Sequence, residues 1–240
     1  MGYKPISAYG IIGNLHTAAL VSIDGYIDGC CLPHFDSPSV FASILDYAKG
    51  GNFSISPLNL KDTSQTYIKD TAILETIFTT ETGKMVLTDF MSIHKTTSSE
   101  GIEFHGIHRK IRCNEGEVQL KIEFKPRFDY ARAQTILDVE PNGVIAKNSD
   151  ETLTLSAKIP LKLNDGKVVA EFKLAKDEEE WFIIRYGDKN ICPCDEYRSR
   201  EKLESKQKMI YCQRAGMTKK DPLHNLMEVA RWMPAIFKSL

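Results

Sequence analysis

The sequence predicts an all-β protein, a large antiparallel super-β-sandwich with a short helical C-terminal tail. From residue 8 to about residue 185, short runs of alternating apolar and β-branched residues are separated by turn signals. After Cys194 the periodicity becomes helical. About ten strands with few helical stretches favour two packed antiparallel sheets over a parallel α/β fold. We therefore expect a sandwich domain at residues 1–194 and a helical linker or truncated tail at residues 195–240.

Two hairpins are the clearest elements of the first half. Residues 17–23 and 26–32 flank Asp24-Gly25, a dipeptide that supplies the positive φ angles of a two-residue turn. Residues 72–79 and 84–90 flank a Glu-Thr-Gly turn and are expected to pair in the same way.

A short helix is expected at residues 38–47. Ser37 suits its N-cap, because a serine hydroxyl can accept a hydrogen bond from a free backbone N–H of the first turn. Phe41, Ile44 and Leu45 would then lie on one side of the helix.

The second half continues the strand pattern. Residues 102–113 and 117–125 are expected to pair across Asn114-Glu115-Gly116, and alternation in the second segment points one apolar face inward. Further strands are expected at residues 143–147, 151–157, 167–174 and 180–186. The tail differs, because Asp221-Pro222 is typical of a helix start and an apolar stripe at helical spacing follows it.

Charge and composition bear on the class of partner. The 31 basic and 32 acidic residues nearly cancel, and no basic block is interleaved with aromatic residues. Nucleic acid and anionic membranes therefore have no electrostatic support as partners. No leader-like start and no uncharged apolar stretch near the roughly 20 residues of a membrane span are seen, so we expect a cytoplasmic protein. The 6 cysteines are too sparse for a disulfide framework and are expected to be reduced.

Histidines and cysteines offer weak candidates for a metal or redox site. His94, His105 and His108 suggest a metal, but the last two are three residues apart on a strand and face opposite sides. We expect solvent-facing strand histidines, no metal and no cofactor. Cys192-Pro193-Cys194 has no second pair elsewhere and is expected to be a loop at the exit of the sandwich.

An opening segment and two later motifs carry a family resemblance. They are residues 5–42, which include PISAYGIIGN and LPHFDSPSVFA, residues 87–91 (LTDFM) and residues 125–130 (KPRFDY). In this order they resemble the N-terminal part of the bacterial and archaeal glucoamylase- and trehalase-like enzymes of glycoside hydrolase family fifteen. Two positions depart from the family pattern, Gly29 in place of tryptophan and His34 in place of arginine.

The resemblance implies an N-terminal super-β-sandwich, a helical linker and a barrel of six helix pairs that carries two catalytic glutamates. Such enzymes hydrolyse α-glucosidic bonds with inversion. A barrel needs several hundred residues beyond the sandwich, so we expect a non-catalytic domain whose partner is a helical catalytic barrel, missing here or on a separate chain. A glucose-containing saccharide and a homo-oligomer are further possible partners.

The loop at residues 32–39 is the candidate site, because Pro33 and Pro38 restrict its path. It displays His34, Phe35, Asp36 and Ser37. These residues are candidates for a domain interface or for the approach to a substrate pocket. Alternatively, Asp36 and Ser37 cap the following helix, and both interpretations can hold together.

No catalytic residue is expected in this chain. A glycosidase needs two carboxylates across a sugar pocket, and five are available: Asp24, Asp28, Asp36, Asp89 and Asp129. Turn chemistry better explains the first, and the last follows Pro-Arg-Phe in a strand-ending loop.

Two alternatives to an accessory domain remain. A free-standing carbohydrate-binding module would need aromatic residues together on one sheet face, and the available set is Tyr26, Phe35, Phe128 and Tyr130. An inactive hydrolase remnant is the other alternative.

Overall fold

The structure is a computed structural model and describes residues 3–92, 106–194 and 199–204. His94, His105 and the predicted helix that starts at Asp221 lie outside the described residues. The fifteen strands of the described part are β1 (Tyr9–Gly13), β2 (Ala18–Ser22), β3 (Tyr26–Cys31), β4 (Ser39–Phe41), β5 (Asn52–Pro57), β6 (Leu60–Tyr67), β7 (Leu74–Thr80), β8 (Gly83–Met91), β9 (Gly106–Lys125), β10 (Ile136–Glu140), β11 (Gly143–Lys147), β12 (Thr152–Ala157), β13 (Lys162–Asn164), β14 (Lys167–Ala175) and β15 (Glu179–Tyr186).

Two antiparallel layers make up the sandwich and confirm the predicted fold class. The first sheet has the order β1-β2-β3-β5-β9-β14-β13, with β4 beside β3. The second sheet has the order β6-β7-β8-β9-β15-β12-β11-β10. Strand β9 therefore belongs to both sheets. Helical structure in the described part is limited to a 3-10 turn (Ile6–Ala8), a short turn at Phe128–Ala131 and the exit helix (Ser199–Glu204).

The alternation along the strands builds one core between the sheets. Val118, Leu120, Ile122 and Phe124 on β9 are fully buried, as predicted. Phe53 lies edge-on to Phe124, with ring centroids 5.5 Å apart. Because these side chains come from strands of the first sheet and meet those of the second, burial of their apolar area is the main stabilising contribution.

The predicted hairpin at residues 102–125 is wrong, because β9 is one strand of 20 residues. Its first half pairs with β8 and β15, and its second half pairs with β5 and β14. Both edges of each half are therefore occupied by other strands. The turn signal marks a corner instead, where Gly116 has φ +67° and the chain passes from one sheet to the other.

The predicted helix at residues 38–47 is also wrong. Ser39–Phe41 forms β4 and pairs with β3, and turns follow it. The Ala42 and Ser43 N–H groups donate to the Gly50 and Gly51 carbonyls at 2.8 and 3.1 Å. Tertiary pairing and the burial of Val40 and Phe41 thus outweigh a weak local helix preference.

A buried ion pair joins the two sheets at their centre. Arg109 on β9 donates from Nε to Asp89 Oδ1 at 2.7 Å and from Nη2 to Asp89 Oδ2 at 3.2 Å. The same guanidinium donates to the Phe53 carbonyl at 2.8 Å and to the Gly25 carbonyl at 2.9 Å, both in the first sheet. Both side chains are fully buried, and their hydrogen bonds reach both sheets. This junction therefore fixes the position of one sheet relative to the other.

Candidate domain interface

The loop that carries the predicted site residues is a hydrogen-bonded turn. Ser37 N–H donates to the His34 carbonyl at 3.2 Å, and His34 N–H donates to Ser37 Oγ at 3.1 Å. Phe35 N–H donates to the His16 carbonyl at 3.0 Å and ties the loop to the start of β2. His34 and Asp36 are exposed, whereas Phe35 and Ser37 are half-buried.

The expected capping role of Asp36 and Ser37 is wrong, because no helix follows the loop. The Ser37 hydroxyl instead accepts from the backbone of His34, three residues earlier. The loop therefore displays side chains at fixed positions rather than starting a helix.

A left-handed turn follows β9. Asp129, Tyr130 and Ala131 have φ values of +50°, +55° and +65°, a conformation that costs L residues roughly 1–2 kcal/mol each. Phe128, which precedes them, is fully buried and anchors the turn. Arg132 closes it by donating from Nη2 to Asp129 Oδ1 at 2.7 Å and from Nε to the Asp129 carbonyl at 3.2 Å.

Tyr130 is held by the same arginine. The Arg132 guanidinium lies 5.2 Å from the centroid of the Tyr130 ring, within the range of a cation–π contact. Tyr130 is half-buried and belongs to the motif KPRFDY. The turn thus presents one tyrosine ring in a defined orientation.

The loop and the left-handed turn lie side by side at one end of the sandwich. Burial and the nearby Asp36 carboxylate raise the pKa of Cys31 to about 11. Burial and then the nearby Cys31 raise the pKa of Tyr130, so Cys31 of the first segment lies close to the second. Arg127 N–H also donates to the Val40 carbonyl of β4 at 2.8 Å. We call residues 31–37 and 127–132 the loop end.

Arg127 occupies an unusual environment within the loop end. Its Nη1 donates to the Pro126 carbonyl at 2.9 Å and its Nη2 to the Gly166 carbonyl at 3.1 Å. Burial lowers the pKa of Arg127, because a partly desolvated cation loses hydration. Its acceptors within the described residues are these two backbone carbonyls, and neither carries a negative charge.

The candidate carboxylates near the N-terminus form an ion-pair network. The Lys4 ammonium lies 2.8 Å from Asp24 Oδ1 and 2.9 Å from Asp28 Oδ2. Asp28 is buried and also accepts from the Tyr9 hydroxyl at 3.0 Å and the Ser43 hydroxyl at 2.6 Å. The single ammonium bridges both carboxylates and occupies the space between them, so this pair does not form an open sugar cleft with a free acid and base.

The other carboxylates are not arranged as an acid–base pair either. Asp89 is fully buried on Arg109, and Asp129 is bonded to Arg132. Asp36 is exposed in the loop end. In the described part of the chain, no group of three or more histidine, cysteine or acidic side chains is placed to hold a metal.

His108 corrects one sequence-based expectation, because it is buried rather than solvent-facing. Its Nε2 lies 2.7 Å from Ser92 Oγ and its Nδ1 lies 2.8 Å from Ser199 Oγ. The ring stacks on Phe90 with centroids 4.8 Å apart. The exit helix covers this face of the second sheet. Ile183 on β15 also faces outward there, and an apolar residue on the outer face of a sheet is a sequence signal that this face is covered.

Cys192 and Cys194 lie in a loop that crosses the second sheet. Cys194 is buried against Ile183, and Trp181 packs beside it. Glu179 binds Lys110 at 3.1 Å and also pairs with Arg200 of the exit helix. These contacts give the loop and the exit helix a structural role.

The aromatic set predicted for a carbohydrate-binding module does not share one face. Phe128 is fully buried in the core. Tyr26 lies on the outer side of the first sheet, under the Lys4 ammonium at 4.2 Å, whereas Phe35 and Tyr130 belong to the loop end. The four aromatic residues therefore do not form the binding face that a carbohydrate-binding module would need.

Comparison with known proteins adds the family. A family model described as "Trehalase-like, N-terminal" matches residues 2–206. This chain belongs to the trehalase-like N-terminal domain family. The predicted resemblance is thus confirmed. A separate observation is that none of the described helices of this trehalase-like domain has the length and apolar character needed to span a membrane.

The trehalase-like domain is similar to three curated proteins named trehalase. It is 36% identical to that of Thermoplasma volcanium over 208 residues, which cover 85% of this chain and 33% of the relative. It is 36% identical to that of Thermoplasma acidophilum over 190 residues (77% and 32%) and 32% identical to that of Mycolicibacterium smegmatis over 206 residues (77% and 31%). The chain therefore spans about a third of the length of these relatives.

Proposed function

We propose that this chain is a non-catalytic accessory domain of a trehalase- or glucoamylase-type glycoside hydrolase and associates with a helical catalytic domain. The observation that carries the proposal is its match to about a third of each trehalase, which leaves the other two thirds for a separate domain. In this proposal the other domain supplies the acid that protonates the leaving oxygen and the base that activates water.

The occupied carboxylates support this division of labour. An inverting hydrolase keeps its two carboxyl groups about 6.5–9.5 Å apart, with space for water between them. Lys4 fills the space between Asp24 and Asp28, and Asp89 has no contact with solvent. The sandwich acts instead through a surface of fixed shape.

The loop end is the surface we assign to this contact. Its two segments are the ones that carry LPHFDSPSVFA and KPRFDY, and both hold their side chains through backbone hydrogen bonds. Phe35 is a suitable anchor, because it is apolar, half-buried and placed on a braced turn.

The activity test compares the purified chain with the Thermoplasma volcanium trehalase. We expect the chain to release no glucose from trehalose, maltose or soluble starch above a buffer control, while the full-length relative serves as the positive control for trehalose. Turnover by the chain that disappears in an Asp36→Asn variant would overturn the proposal.

The association test uses the part of the Thermoplasma volcanium trehalase that lies beyond its matched third, expressed as a separate chain. We expect the sandwich to bind it, and Phe35→Ala to weaken binding by more than about 1 kcal/mol while the sandwich stays folded. Calorimetric titration measures the affinity and thermal melting checks the fold. Absence of binding by the unmodified sandwich contradicts the proposed association.

A further inference from the structure

The left-handed turn is a strained segment that the fold holds in place at the surface. Three consecutive residues other than glycine, Asp129 to Ala131, adopt positive φ angles on the protein surface. Such strain persists only where surrounding contacts impose it, and it is concentrated at ligand clamps and contact surfaces. Here the buried Phe128 and the two bonds from Arg132 to Asp129 impose it.

The strained turn holds the Tyr130 side chain in one orientation. The Tyr130 ring is held under the Arg132 guanidinium before any partner arrives. A rigid tyrosine loses little side-chain entropy on binding, which is why tyrosine and arginine are enriched among the residues that dominate interfaces.

Arg127 determines which charge a partner must bring to this surface. A guanidinium offers five N–H donors, and that of Arg127 donates to two neutral carbonyls. The neighbouring Asp129 carboxylate is bound to Arg132. A partner that covered Arg127 without providing a carboxylate would bury an uncompensated cation at a large cost, so a suitable partner has an acidic side chain at this point.

The occupant of this surface follows from the length of the relatives. The matched relatives continue for about twice the length of their aligned part, and that remainder has to be accommodated beside a domain of this fold. Two of the family motifs of this chain, LPHFDSPSVFA and KPRFDY, meet at the loop end, where Phe35 and Tyr130 are only half-buried.

Resting on the proposed function, we infer that Tyr130 and Arg127 form the specific contact with the catalytic domain of a trehalase. Tyr130 is a second aromatic anchor beside Phe35, and Arg127 makes an ion pair with a carboxylate of that domain. The left-handed turn fixes Tyr130, and the Pro126 and Gly166 carbonyls fix Arg127.

The experiment uses the whole chain and the separately expressed remainder of the Thermoplasma volcanium trehalase. The variants are Tyr130→Ala, Tyr130→Phe, Arg127→Gln and Arg127→Lys. Two controls remove similar groups elsewhere, Tyr3→Ala at an exposed tyrosine of the N-terminal segment and Arg112→Gln at an exposed arginine of the second sheet. Titration calorimetry gives the dissociation constant at two salt concentrations, and thermal melting reports the fold of each variant.

We expect Tyr130→Ala and Arg127→Gln each to weaken binding by at least about tenfold, while the controls change it by less than about twofold. Tyr130→Phe should keep most of the affinity, and Arg127→Lys should recover part of it. Added salt should weaken binding of the unmodified chain more than that of Arg127→Gln, because only the former makes the ion pair.

Each outcome is decisive. Binding by the unmodified chain that Tyr130→Ala and Arg127→Gln leave unchanged overturns this inference and leaves the proposed function standing. No binding by the unmodified chain overturns the proposed function, and this inference with it. If Arg127→Gln fails to fold, the salt dependence of the folded Arg127→Lys and Tyr130→Ala variants decides.

Discussion

Arg109 and Arg127 lie near the two ends of the same long strand and have opposite environments. Arg109 is fully buried, with four hydrogen bonds to Asp89, Phe53 and Gly25 and its charge matched by a carboxylate. Arg127 lies just after β9, is half-buried and donates to two neutral carbonyls. The completeness of a cation's partners, rather than residue type, therefore distinguishes a structural junction from an arginine that can still bind an external carboxylate.

The largest effect is expected at the central junction. Asp89→Ala should lower the free energy of unfolding by about 3–5 kcal/mol, because it leaves the Arg109 charge buried without a counterion. Urea denaturation monitored by circular dichroism measures the loss. The matched control is Asp138→Ala, which breaks an exposed pair with Lys147 and should cost less than about 1 kcal/mol. Similar losses in both variants would erase the distinction between the two sites.

A slightly smaller loss of stability is expected for Phe128 in the loop end, and it should exceed the loss for the nearby Tyr130. Phe128→Ala should cost about 3 kcal/mol, because a fully buried aromatic side chain leaves a cavity. Tyr130→Ala should cost less than half as much, since its ring is only half-buried. Chemical denaturation of both variants tests this, and a larger loss in Tyr130→Ala would make the tyrosine a core residue rather than a contact.

The two arginines themselves should respond differently to lysine. Arg109→Lys should cost about 2 kcal/mol or more, because lysine cannot reproduce the two-pronged bond to Asp89 and the two carbonyl contacts together. Arg127→Lys should change stability by less than about 0.5 kcal/mol. Equal midpoints of thermal unfolding for the two variants would contradict the comparison.

The smallest effect concerns acid. Burial alone would raise the pKa of Glu179, but the Lys110 hydrogen bond and charge, with Arg200, outweigh it and keep the pKa below its ordinary value. A depressed folded-state pKa gives stability that is present above the unfolded-state value of about 4.3 and is lost as the pH falls through the folded-state value. Glu179→Gln should therefore destabilise by less than about 1 kcal/mol at pH 7 and by a smaller amount at pH 3. Denaturation curves at the two pH values measure the difference, and an effect that grows in acid would contradict it.

Local signals were sufficient for the hairpins. Asp24-Gly25 lies between β2 and β3, and Gly25 has the positive φ of +88° that the two-residue turn requires. The alternation from Val118 to Phe124 likewise identified the buried face of β9. In both places the chemistry of a few adjacent residues determines the conformation.

Long-range pairing decided the elements that the sequence did not predict. Asn114-Glu115-Gly116 is a corner because partners distant in sequence occupy both sides of β9. Residues 39–41 form a strand because β3 offers an open edge to them. The burial of His108 depends on Ser199, 91 positions away, which no local pattern reports.

The candidate site was predicted in part. The proline-flanked loop from His34 to Ser37 was identified from sequence, and the structure places it beside a second segment that was not. The left-handed turn has no glycine to indicate it, because its residues are forced into positive φ by the Phe128 anchor and the Arg132 bonds. The sequence feature that accompanies this turn is a Pro-Arg-Phe-Asp run directly after a strand.

The sharing of β9 determines the order in which the nascent chain can be completed. Strands β5 and β8 are made before residues 106–125, and each keeps one unpaired edge until β9 is added. Within the described residues, the meander of β10, β11 and β12 joins the second sheet through β15, the last strand of that part of the chain. Until β15 is added, the partly made chain therefore has open strand edges of the kind that favour aggregation.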